Sequence, residues 1–103
     1  MDGESLELFR IDERSEGGTF RSVVLSRLAD GAIRVDAQDM GEPVEKIWHD
    51  SDYEFWVDVP TAAVAKLAFV LLRERFMGRA GAVDELTALC KREGIEHKWG
   101  SWA

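Results

Sequence analysis

The stretch that decides the fold is Tyr53-Glu54-Phe55-Trp56-Val57-Asp58-Val59-Pro60-Thr61-Ala62-Ala63-Val64-Ala65-Lys66-Leu67-Ala68-Phe69-Val70-Leu71-Leu72. Over its first seven residues the side chains alternate. Tyr53, Phe55, Val57 and Val59 share one parity, and Glu54, Trp56 and Asp58 share the other. That period of two predicts a strand with an aromatic and β-branched face. At Pro60-Thr61 the period changes. Val64, Leu67, Ala68, Leu71 and Leu72 then follow helical spacing, and Phe76 adds another turn. Proline is tolerated at a helix start and Thr61 is a capping residue, so a helix is predicted over 61–77, ending at Gly78.

Toward the N-terminus, Phe20–Leu28 reads as a strand and Ile33, Val35 and Ala37 alternate with Arg34, Asp36 and Gln38. Asp30-Gly31 between them supplies the positive φ of a tight turn, so 20–39 is predicted to be a β-hairpin. Leu6–Ile11 is a further short strand, followed by a polar loop over 12–18 that ends in two glycines. Gly41-Glu42-Pro43 breaks the pattern, and Val44–His49 is a short bent segment. Toward the C-terminus a second helix spans 82–93, with Val83, Leu86 and Leu89 inward, Gly94 at its left-handed end and apolar Ile95 after it.

About four strands with short connections followed by two helices predict an α+β fold with an antiparallel sheet. The expected architecture is a two-layer sandwich in a single domain, 1–103. The long helix is expected across the face of Tyr53, Phe55, Val57 and Val59, with Leu67, Leu71, Phe55 and Val57 buried in one cluster.

Composition narrows the functional classes. The 103 residues are 46% hydrophobic and 32% charged, as in an ordinary globular chain. One Cys excludes an internal disulfide and multi-Cys zinc clusters, and the absence of Asn removes N-glycosylation. The start Met1–Ser5 is acidic with no apolar run behind it, and the longest apolar run is Leu67–Leu72. Both predict a cytoplasmic protein. Nine Arg against four Lys is the usage of GC-rich bacterial genomes.

The net charge of −7 is uneven. Residues 36–58 hold eight carboxylates, Asp36, Asp39, Glu42, Glu45, Asp50, Asp52, Glu54 and Asp58, against Lys46 alone. Such a stretch is either a solvated face that confers solubility or a surface that steers a basic partner. Duplex DNA binding is disfavoured, because phosphate contacts need clustered cations.

Phosphate-binding loops, dinucleotide fingerprints and nucleophile elbows are missing, so no cofactor is expected. Asp50-Ser51-Asp52-Tyr53-Glu54 opens like a calcium loop, but Phe55 and Thr61 stand where that loop needs Gly and Glu. His49 beside Asp50, with Asp52 and Glu54, is the one candidate base or metal site, set against a plain surface histidine. Its possible second histidine is His97. Cys90 follows Leu86 by four and Val83 by seven, which makes it a core residue, although Lys91 and Arg92 flank it.

Four Trp residues are the remaining signal. Trp56 lies on the parity opposite the expected core and is flanked by Glu54 and Asp58. It is an interface anchor or is buried beneath Trp99 or Trp102. The leading reading is a non-catalytic acidic protein-interaction module of the inhibitor, antitoxin, immunity or regulatory kind, using Trp56, Glu54, Asp58, Asp50 and Asp52. A single-stranded nucleic-acid platform built from Phe9, Arg10, Arg21, Arg27 and Arg34 comes second. A small enzyme or metal site around His49 comes third. A homodimer through a strand edge is compatible with each.

Overall fold

The computed structural model describes residues 4–41 and 52–102. Four strands, β1 (Ser5–Glu16), β2 (Thr19–Leu28), β3 (Ile33–Gly41) and β4 (Asp52–Val59), precede two helices, α1 (Thr61–Phe76) and α2 (Ala82–Glu93). The sheet is antiparallel throughout, in the order β1-β2-β3-β4. This is the α+β arrangement that the switch of period at Pro60 predicts. The bent segment Val44–His49 falls outside the described residues.

β1 is longer than its apolar run. Residues 12–16, expected in a loop, pair with β2 as far as Glu16 opposite Thr19. Only Gly17 and Gly18 form the turn, at φ 58° and 81°, the left-handed pair that a two-residue hairpin turn requires. On an edge strand one side is solvated, so the polar run Asp12–Glu16 enters the ladder at no burial cost. Register shifts in β1 fall between Ser5 and Glu7 and between Arg10 and Asp12.

The β2–β3 connection is a three-residue turn closed by a glycine. Gly31 N–H donates to the Leu28 carbonyl at 2.9 Å, and Gly31 sits at φ 93°. Asp30 Oδ1 accepts from the Ala32 N–H at 2.9 Å, as a turn aspartate commonly does. Thr61 then ties the start of α1 to this turn, its hydroxyl donating to the Asp30 carbonyl at 2.6 Å. Thr61 is the first residue of α1, and its hydroxyl serves a turn 31 residues earlier.

Pairing across all strands sorts the sheet into an apolar and a polar face. On the apolar face Phe9, Leu25, Val35 and Val57 form one row from edge to edge. The next row is Asp12, Val23, Ala37 and Phe55. Charged rows flank these two. Glu7 accepts from Arg27 at 2.7 Å on one side, and Arg21 meets Asp39 at 2.5 and 2.7 Å on the other. Arg21 also lies 5.3 Å from the Phe55 ring centroid, and Tyr53 stacks on Phe55 at 5.4 Å.

Backbone contacts divide the chain into two compact units, Met1–Ala68 and Phe69–Ala103. In the first, the buried side chains among the described residues are Ser26, Leu28, Ala32, Arg34 and Ala37. The expected core cluster is corrected. Phe55, Val57 and Leu71 are 39%, 58% and 53% exposed, Leu67 is half-buried, and no residue of α1 is buried. Periodicity shows which residues share a face, but it does not say which face meets which. Here a single residue, Pro60, joins β4 to α1, and Thr61 is pinned at the β2–β3 turn, so the first helical turn is held at that end of the sheet. In the second unit α2 ends as expected, with Gly94 at φ 66° and the Ile95 N–H donating to the Cys90 carbonyl at 2.9 Å. Cys90 is buried as expected, whereas Val83, also expected inward, is 66% exposed.

Candidate functional site

The polar face of the sheet is organised around Arg34 and Trp56. Register sets Arg34 beside Asp58 and Asp36 beside Trp56, with Gln38 beside Glu54. Arg34 is nearly buried, its side chain 6% exposed, and it donates from Nε and Nη2 to the two carboxylate oxygens of Asp58 at 2.5 and 2.8 Å. The same guanidinium lies 5.5 Å from the Trp56 ring centroid. The indole is therefore braced on one side by a cation while remaining 54% exposed.

In the second unit Trp102 is fully exposed. Trp99 shares a hollow with Val83, Leu86 and Cys90 of α2, inside the same unit. His97 Nδ1 contacts the Ile95 carbonyl at 2.8 Å, a local bond within the same tail.

The acidic candidates separate into three kinds. Asp58 is the partner of Arg34, whose hydrogen bonds hold its carboxyl below the usual aspartate range. Glu54 is exposed, and neither it nor Asp36 makes an ion pair among the described residues. Asp50 lies outside the described residues, as does His49, and Asp52 is described only as the first residue of β4. Among the described residues no group of three His, Cys, Asp or Glu is placed to hold a metal ion.

The candidate nucleic-acid residues do not share one surface. Phe9, Arg21 and Arg27 belong to the apolar face, whereas Arg10 and Arg34 lie in rows of the polar face. Each arginine has a carboxylate: Arg10 with Glu13 at 2.6 Å, Arg21 with Asp39, Arg27 with Glu7, and Arg34 with Asp58. Hydrogen bonding to Arg21 lowers the Asp39 carboxyl and raises the Arg21 guanidinium. An arginine already neutralised by a neighbour contributes little to a phosphate-tracking groove.

Comparison with protein families, with curated proteins and with solved structures finds no match. Among the described residues no helix is long and apolar enough to cross a membrane.

Two features of the surface escaped the sequence reading. One is the Arg34–Asp58 bond, because the partners are 24 residues apart and only register joins them. The other is the apolar row that crosses from Phe9 to Val57. Its signal was present in the parity of Phe9, Leu25 and Val35, once β1 is paired with β2 in the observed register.

Proposed function

We propose that this chain is a non-catalytic protein-interaction module that binds a basic partner through the polar face of its sheet. Trp56 carries the reading. It is a large aromatic side chain, half exposed in mid-strand and braced by Arg34, with Glu54 and Asp36 beside it. Aromatic residues held in place before binding lose little entropy on docking, which is why Trp recurs among residues that dominate interfaces. The uncompensated carboxylates around it supply attraction for Lys and Arg, and speed encounter at low salt. Such a surface suits an inhibitor, antitoxin, immunity protein or regulatory subunit. The pairing of every candidate arginine with a carboxylate weighs against the single-stranded nucleic-acid alternative.

Selection of displayed random peptides against the whole protein tests this. Binders enriched in Lys and Arg are expected, with association slowing as salt rises and with a loss of about 2 kcal/mol on Trp56→Ala. Peptides without basic enrichment, or peptides that bind Trp56→Ala as well as the parent, would refute it. Retention on single-stranded DNA at low salt would favour the alternative instead.

A further inference from the structure

The apolar face is the opposite surface of the same sheet, and its largest side chains are open. Phe9 is 66% exposed, Val57 58% and Phe55 39%. A hollow of about 350 Å³ runs over Val23, Val35, Ala37, Phe55 and Val57. An antiparallel sheet commonly solvates one face and packs the other, and these two adjacent rows, apolar apart from Asp12, are the face suited to packing.

We propose that the cover is a second copy of this chain, packed face to face across a two-fold axis parallel to the strands and passing between β2 and β3. That operation reverses strand order and keeps every row over itself. Phe9 then lies over the partner's Val57, and Leu25 lies over the partner's Val35. In the flanking row, Arg21 lies over the partner's Asp39, so the pair formed within each chain is extended across the interface. Arg27 lies over the partner's Ile33, and Arg14 lies over the partner's Tyr53. No like charges meet.

Two other symmetric arrangements set like charges against each other. An axis perpendicular to the strands sets Arg27 over the partner's Arg21. Antiparallel pairing of two β4 edges about Trp56 sets Glu54 opposite the partner's Asp58, and like charges directly opposite are destabilising. Area agrees with the face-to-face arrangement. Four strands about 4.8 Å apart, eight residues long at about 3.4 Å each, present roughly 500 Å² per copy. Two copies reach about 1,000 Å², the lower bound for a specific interface, at the aligned angle and ~10 Å spacing of packed sheets. The dimer leaves both Trp56 surfaces facing outward.

Sedimentation of the full chain from about 1 to 100 μM is expected to show a species of twice 11.6 kDa. Phe9→Glu and Val57→Glu should each weaken self-association at least about tenfold with an unchanged circular-dichroism spectrum, since both side chains are exposed in the single chain. The double variant Phe9→Glu with Val57→Lys should recover association, because each new carboxylate then meets a new ammonium of the partner. A parent that stays monomeric at 100 μM overturns the proposal. A dimer that survives both single substitutions, or a double variant no tighter than the single ones, overturns it equally.

Discussion

Asp58 holds Arg34 across the β3–β4 ladder, an exposed carboxylate gripping a guanidinium that is nearly buried. The two ends of the pair thus have different consequences when changed. Asp58 and Glu54 are on the same strand, with the same parity and charge, yet Asp58 bonds Arg34 and Glu54 makes no ion pair among the described residues. Glu54→Lys should leave the denaturation midpoint within about 0.5 kcal/mol of the parent. Asp58→Lys should lower it, because it replaces two hydrogen bonds to a nearly buried guanidinium with an ammonium of like charge. Urea titration of both variants decides the matter, and equal midpoints would contradict the role given to Asp58.

Acid should destabilise the sheet through the same kind of bond. Asp58 and Asp39 are both held below their ordinary value of 3.8 by arginine hydrogen bonds, and Glu85 is held below 4.5 by Arg79. A carboxylate with a lowered folded pKa contributes stability above its unfolded pKa and loses it as pH falls through the folded value. Stability should therefore be level above about pH 5 and fall as the pH drops below 4. Circular dichroism against pH should show a shallower fall for Asp39→Asn than for the parent.

Gly31 offers a backbone test. At φ 93° a side chain is strained, and a Cβ there would lie 3.3 Å from Thr61 Cγ2. Gly31→Val should cost about 1–2 kcal/mol from the left-handed backbone alone, with further loss from crowding the Thr61 hydrogen bond. An unchanged midpoint in chemical denaturation would mean that the turn is built differently.

Leu71→Ala should be mild. A buried leucine costs about 2–5 kcal/mol when truncated. Leu71 is 53% exposed, and a half-exposed side chain should cost about 1 kcal/mol or less. The measurement is made on the dilute chain, below the concentration at which copies associate. A loss in the buried range would place Leu71 in a core after all.

Local chemistry settled a great deal in advance. The alternation over Tyr53–Val59, the change of period at Pro60, and Asp30-Gly31 between two apolar runs each act within a few residues. They determined the strand count, both helices and the α+β class, because side-chain period and turn geometry are properties of neighbouring residues. Gly94 and Ile95 marked the end of α2 for the same reason. The edge strand was the exception, since a polar run such as Asp12–Glu16 carries no burial signal and is recruited by its partner strand and by Gly17-Gly18. What tertiary structure alone decided is which residues meet at a distance. Arg34 and Asp58, Arg21 and Asp39, and Thr61 and the Asp30 carbonyl are joined only by register and topology. The same pairing joined Arg21, Arg27 and Arg34 to carboxylates on neighbouring strands, while Arg10 meets Glu13 within β1, and it aligned Phe9, Leu25, Val35 and Val57 into one row. Parity assigns a residue to a side of its own strand, but only the assembled ladder sets it beside a partner from another.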